Sequence, residues 1–317
     1  MTEYLKQHEE KLKRMVVPQT KREDFEAFWA EQMAFLRTVP LEVQREVMDT
    51  PYEKSFRSWK LTYNTHDKTV IEAIFSCPAD RKEGEKLPCV VIFHGGDGGG
   101  AKRLCPDFLA TGVCCLAMDV RGQCGTTLDK AEYRSGDYMT GLMTRGILEK
   151  DECYLRNIYL DAVRAMDVAA SLEEVDPARM VTFGGSQGGA LSVAASALSG
   201  KSRKCYSAIT SYNCLAQRVE AGSGVFNRVR DMIWKYPETA DRILENLTYF
   251  DINNMISLLE SSLDICLGLS DPICLPHFVY SVYHHANCSK KLRMYPFTPH
   301  KVRQDYLESI HRELATL

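Results

Sequence analysis

Short apolar runs that alternate with amphipathic stretches constrain this chain more than any other feature. "PCVVIFHGG", "VCCLAMDVRG", "RMVTFGG", "CYSAIT", "LDICLGL" and "KLRMYPF" read as strands, while "YLDAVRAMDVAASL", "GGALSVAASAL" and "VRQDYLESIHREL" read as helices with one apolar stripe. Strands this apolar have no solvent face and need helices on both sides. That requirement predicts an α/β fold with a doubly wound, mostly parallel sheet. "FRSWKLTYN" and "KTVIEAIFSCP" alternate apolar and polar residues across the turn-forming "NTHDK", which predicts an antiparallel edge hairpin.

Two stretches break the rhythm. Residues 1 to about 50 carry helical periodicity and read as a packing arm, with Phe25, Phe28, Trp29 and Phe35 on one face of "DFEAFWAEQMAFL". From about 212 to 260, short helical pieces such as "VFNRVRDMIWKY" and "NNMISLLES" replace the strands and predict a cap-like insertion over a cleft. No repeat or low-complexity linker divides the chain, so its 317 residues, 45% hydrophobic, are read as a single domain with arm and insertion.

Charge and cysteine usage narrow the partners. With 39 basic and 42 acidic residues the formal charge is -3, which argues against nucleic acid or an anionic membrane and for a small neutral partner. "MTEYLKQHEEKLKRMVVPQT" lacks the apolar core of a leader, and no run approaches the ~18 apolar residues of a membrane span. A cytoplasmic protein is expected. The twelve cysteines are irregularly scattered without C-x-x-C, and many lie in apolar runs, which predicts buried reduced thiols rather than a disulfide framework.

The chemistry is concentrated in "VTFGGSQGGA". Gly184, Ser186 and Gly188 form G-x-S-x-G between a predicted strand and helix, the context a nucleophile elbow requires. Small neighbours let the strained serine turn pass close to the strand and helix, though a plain glycine-rich connection also fits these residues. A serine hydroxyl needs a base, and that base an orienting acid, in the order Ser, Asp or Glu, His for this topology. Asp271 and His300 follow predicted strands and keep that order, at the end of the sheet where sites form. Asp264, His277, His284 and His285 are rivals placed before or within elements. Gly96, ending "VIFHGG", and Gln187, just after the serine, are positioned to lend backbone N–H groups to an oxyanion. Such a base predicts activity rising through a histidine pKa of about 6.5, give or take a unit. No cofactor is called for, and no cluster has convincing zinc-ligand spacing. A dinucleotide site competes for one stretch: Gly96, Gly98 and Ala101 fit G-x-G-x-x-A, with Asp119 ending the next strand.

Taken together, "DFEAFW", "FHGGDGG", "DVRGQCG", "GGSQGGALSVAASALS" and "GLSDPICLP" resemble the acetyl xylan esterase and cephalosporin C deacetylase group, carbohydrate esterase family seven. The resemblance implies an α/β-hydrolase, often hexameric, that removes acetyl groups from small acetylated carbohydrates such as xylo-oligosaccharides and from cephalosporin-type esters. It places the nucleophile on Ser186, the acid on Asp271, the base on His300 and the oxyanion donors on Gly96 and Gln187. It gives Arg121, Gly122, Gln123, Gly184 and Gly188 supporting roles, with Arg121 bracing the oxyanion loop. Two positions depart from the family. Lys301 follows His300 where a Glu is usual, so that it would repel Arg121 rather than pair with it, and Gly96 stands where many relatives carry an aromatic residue.

Overall fold

Among the described residues, nine strands form one sheet in the order β1-β2-β3-β5-β4-β6-β7-β8-β9. They are β1 (Gln44–Met48), β2 (Phe56–Asn64), β3 (Val70–Pro78), β4 (Leu87–Phe93), β5 (Cys114–Met118), β6 (Val175–Gly185), β7 (Lys204–Ala208), β8 (Ser262–Gly268) and β9 (Lys290–Tyr295). A computed structural model describes residues 2–96, 104–123, 125–135 and 141–317. From β5 to β9 the pairings are parallel, whereas β1, β2 and β3 pair antiparallel with one another and β3 pairs antiparallel with β5.

The side-chain period of the strands explains why helices cover both faces. In β4, Cys89, Val91 and Phe93 point into a core shared with α4 (Tyr154–Ser171) and α5 (Gln187–Ser199), while Val90 joins an opposite core with Phe108 of α3 (Pro106–Leu109) and Ile310 of α11 (Gln304–Leu314). Parallel strands then share one carboxyl edge, from which the turns after β4, β6, β8 and β9 emerge together.

The antiparallel hairpin forms as expected but is not the edge of the sheet. β1 lies outside it, so the first fifty residues end in a strand after α1 (Glu3–Lys13) and α2 (Phe25–Thr38). Phe25, Phe28 and Trp29 bury as a unit, with Trp29 Nε1 donating to the Tyr249 carbonyl at 2.9 Å; Phe35, expected on the same face, is 48% exposed. On the helical wheel it falls beside Phe28 at the stripe's margin.

The 212–260 segment contains α6 (Leu215–Ala221), α7 (Asn227–Lys235), α8 (Ala240–Leu247) and α9 (Ile252–Met255), and α10 (Pro276–His285) follows β8. The eleven described cysteines are free, nine of them buried. Among the described residues no helix is long and apolar enough to cross a membrane.

Candidate active site

Ser186 stands at the carboxyl end of β6 with φ 56° and ψ −118°, a conformation that costs a non-glycine residue of order 1–3 kcal/mol and persists only when its surroundings enforce it. They do so from both sides. Its N–H donates to the Ala208 carbonyl at 2.9 Å, and its carbonyl accepts from Ala190 (3.2 Å) and Ser211 (3.1 Å). A Cβ on Gly184 would be driven into the backbone of Gly188, and one on Gly188 into the Phe93 carbonyl. The glycines therefore let α5 begin directly against β4 and β6.

Asp271 lies just beyond β8 and His300 just beyond β9. His300 Nδ1 is 2.9 Å from Asp271 Oδ2, while Asp271 Oδ1 accepts the N–H groups of Ile273 (2.8 Å) and Cys274 (2.9 Å). An ionised carboxylate only accepts, so Nδ1 carries the proton and Nε2 holds the free lone pair of the neutral ring. Asp271 is 2% exposed, and His300 reaches the same cleft as Ser186. The hydrogen bond to Asp271, with a smaller contribution from the Cys274 thiol, pushes the His300 pKa up to about 10. This moves the imidazole above the range expected from its ordinary value near 6.5, because the paired carboxylate favours the cation.

The cleft, of about 600 Å³, is lined by Gly96, Gln187, Ser186 and His300 together with Gly122 and Gln123. Gln187 is the first residue of α5, so its N–H has no partner within the helix. Its side chain is fixed by a reciprocal amide pair: Gln123 Nε2 donates to Gln187 Oε1 at 2.8 Å and Gln187 Nε2 to Gln123 Oε1 at 2.9 Å. Tyr212 adds a hydroxyl to the same Oε1, and Tyr154, reached by Gln123 Nε2 at 3.1 Å, donates onward to the Arg121 carbonyl at 2.7 Å. Gly96 sits beside Gln187, its absent Cβ 3.8 Å from Oε1. His94 Nε2 accepts the Val120 N–H at 3.0 Å and Nδ1 meets the Gly95 carbonyl at 2.8 Å, which pins the loop that carries Gly96.

Arg121 does not face Lys301. Its buried guanidinium forks onto Asp161 of α4 (2.6 and 2.7 Å) and onto Asp67, with Asp129 at 3.5 Å, whereas Lys301 is exposed. The expected repulsion is therefore absent: three carboxylates from elsewhere in the chain supply the countercharge. Gly122 turns at φ 67° against Asp129 and Leu142, beside this cluster.

The rival residues are used elsewhere. Asp264 is buried in β8 with Arg293 at 3.3 Å, and His277, His284 and His285 ride on α10, outside the cleft lining. Asp119, the acid of a dinucleotide site, spends Oδ2 on the N–H groups of Thr126 and Thr127, both at 2.8 Å; Gly98 and Ala101 fall outside the described residues. Among the described residues, the four-residue α3 is the only helix between β4 and β5, where the usual crossover helix would be.

Sequence reasoning missed Cys274 and Arg218. Cys274 Sγ is 4.0 Å from Ser186 Oγ, and the donor atoms of Asp271, Cys274 and His300 lie within 4.8 Å of one another, a grouping of zinc-ligand types that the linear spacing conceals. Arg218 of α6 donates to the Asn213 carbonyl (2.8 Å), to Asn213 Oδ1 (2.7 Å) and to the Ile273 carbonyl (2.8 Å), tying the loop after β7 to the loop of Asp271.

Residues 5–314 match the acetyl xylan esterase (AXE1) family. The chain belongs to the acetyl xylan esterase family. Membership places it among carboxylic ester hydrolases of α/β architecture. It is similar to the acetyl xylan esterase from Paenibacillus sp. R4, with 30% identity, a TM-score of 0.91 and coverage of 97% of this chain and 98% of that one. Acetyl xylan esterase 1 from Thermoanaerobacterium sp. shares the fold at 23% identity and a TM-score of 0.89, covering 97% of this chain and 98% of that one. Acetyl esterase Axe7A of Xylanibacter ruminicola is 26% identical over 298 residues, 90% of this chain; the chain spans 65% of that protein's length.

Proposed function

We propose that this acetyl xylan esterase family member is a serine esterase that deacetylates small acetylated xylo-oligosaccharides, and cephalosporin-type esters of similar size, through an acyl-enzyme on Ser186. The observation that carries the reading is the convergence in one cleft of the strained Ser186, the His300–Asp271 pair at 2.9 Å and the N-terminal amide of α5.

In this mechanism Ser186 Oγ attacks the acetyl carbonyl as His300 Nε2 takes its proton. The oxyanion is held by the N–H groups of Gly96 and Gln187, fixed before reaction by the His94 and Gln123 contacts, so little reorganisation is needed as charge develops. His300 then protonates the departing sugar oxygen and activates the water that releases acetate, while Asp271 stabilises the imidazolium. The 212–260 segment acts as a cap, contributing Tyr212, Arg218 and residues 223–228 to the lining and favouring short substrates over polymer. Nine buried free thiols support a reducing, cytoplasmic setting. The oligomer belongs to the same proposal, supported by Trp234, which leaves 84% of its surface exposed on α7.

A fluorophosphonate probe and acetate release test this reading. Probe labelling confined to Ser186, with acetate released from acetylated xylo-oligosaccharides, supports it. Labelling without acetate release would keep the serine hydrolase and discard the substrate.

A further inference from the structure

The near-balanced net charge suggests a neutral partner, yet the described lining of the cleft is not balanced. Among the described residues its charged lining consists of Arg218, Arg228 and His300, and no carboxylate lines it. Arg218 is 2% exposed and all its hydrogen-bond acceptors are amide oxygens, those of Asn213 and Ile273. The neighbouring carboxylate of Asp251 is turned away, onto the N–H groups of Cys214 (2.8 Å), Leu215 (2.7 Å) and Asn253 (2.8 Å). Arg228, in the first turn of α7, lays its stem against Gly141 and leaves its head half-exposed at the cleft. Among the described residues the carboxylate paired with that head is Asp231, at 4.0 Å and shared with Arg230 at 3.4 Å.

We infer that the cleft prefers acetyl esters whose alcohol portion carries a carboxylate, an acetylated uronic acid or uronate-bearing oligosaccharide, with Arg228 as the residue that receives the anion. This rests on the esterase reading above. An acetyl group has no room for a charge, so an anion drawn into this lining must belong to the leaving alcohol. A half-exposed guanidinium matches a carboxylate in bidentate geometry, and Arg218, hydrogen-bonded to amide oxygens and only partly offset by the neighbouring Asp251, adds a field of the same sign. Arg218 is already committed to its carbonyls and acts at a distance. Among the described residues Arg228 makes no hydrogen bond and has only the long contact to Asp231, so its donors can face a ligand.

The test compares acetate release from an acetylated methyl glucuronoside and from its uronamide, which differ only in the charge. A second pair, 4-acetoxybenzoate and 4-acetoxybenzamide, asks whether a non-sugar anion suffices. The expected kcat/KM ratio of acid to amide is about three- to tenfold in the sugar pair at low salt and falls toward one at ~0.5 M NaCl. Arg228→Gln lowers that ratio toward one and Arg228→Lys restores part of it, whereas Arg230→Gln, which removes the same charge from the same helix outside the lining, keeps it. A ratio at or below one in the wild type, or one that Arg228→Gln leaves unchanged, overturns the inference while the esterase stands. A preference confined to the benzoate pair overturns the uronate assignment. Failure of every ester to yield Ser186-dependent acetate overturns the esterase reading and this inference with it.

Discussion

The nucleophile side of the cleft and the acid–base side are built by different means. Ser186, Gly96 and Gln187 are placed by backbone: a strand, a tight turn and a helix whose close approach needs glycine at 184 and 188. Asp271 and His300 sit on loops past β8 and β9: local N–H groups hold Asp271, Asp271 holds His300, and Arg218 of α6, distant in sequence, ties in the Ile273 carbonyl. A buried arginine stands behind each side. Arg121 is saturated with carboxylates, while the hydrogen bonds of Arg218, among the described residues, go to amide oxygens. The contrast separates a charge neutralised by carboxylates from one held by amide dipoles, and a turn fixed by local sequence from loops whose long-range ties the sequence does not declare.

The largest effect that sharpens this contrast is chemical and confined to the first side. Ser186→Ala should lower acetate release by about 10⁴-fold or more, with thermal unfolding little changed or shifted upward because the strained turn accepts Ala no worse than Ser. Parallel kinetics and calorimetry check both halves; a large loss of stability would mean that the hydroxyl holds the turn.

On the second side, Asp271→Asn should cost about 10²–10⁴-fold in kcat/KM by disturbing the imidazole's tautomer and removing its countercharge. It should also move the pH profile. Only neutral His300 can take the serine proton, and its pKa is raised to about 10, so wild-type kcat/KM should climb through an alkaline limb, falling tenfold per unit below it. In Asp271→Asn the limb should drop toward about 6.5. A wild-type limb already at 6.5 would show that the Asp271 bond does not raise the base in solution.

The arginines should then divide by readout. Arg121→Gln leaves Asp161 buried without its partner and should destabilise the protein by about 3–5 kcal/mol in urea unfolding. Arg218→Gln should cost less, about 1–3 kcal/mol, because only carbonyl partners are lost, while kcat/KM falls as the Ile273 loop loosens. Equal stability losses for the two variants would erase the distinction drawn between them.

A smaller effect probes the oxyanion support. Gln123→Ala removes the amide pair to Gln187 and should lower kcat about tenfold with little change in KM, since the N–H matters most once charge develops. An effect on KM alone would place Gln123 in ground-state binding.

What the sequence made legible follows the same division. Apolar strands, their helices and the G-x-S-x-G turn are local patterns set by period and by glycine sterics, so the doubly wound sheet and the place of Ser186 could be read directly. Phe35 and β1 were misjudged because burial at a stripe's margin and an added edge strand depend on neighbours distant in the chain. The Arg121 cluster was misread through Lys301 because Asp67, Asp129 and Asp161 approach it only in the fold. Arg218 and Cys274 carried no local signal, since each acts on a loop remote in sequence. The pH expectation near 6.5 took no account of the Asp271 pairing, which raises His300 against the opposing effect of burial and forms only when β8 and β9 lie side by side.

The acyl-enzyme is the most direct test of the central claim. Wild type and Ser186→Ala would be acid-quenched within milliseconds of mixing with acetylated xylo-oligosaccharide, and the intact masses and digests read. The account predicts one added acetyl mass in the wild type, mapped to the peptide bearing Ser186 and absent from the variant. Acetate release at full rate by Ser186→Ala, or an acetyl group mapped to another residue, would contradict it.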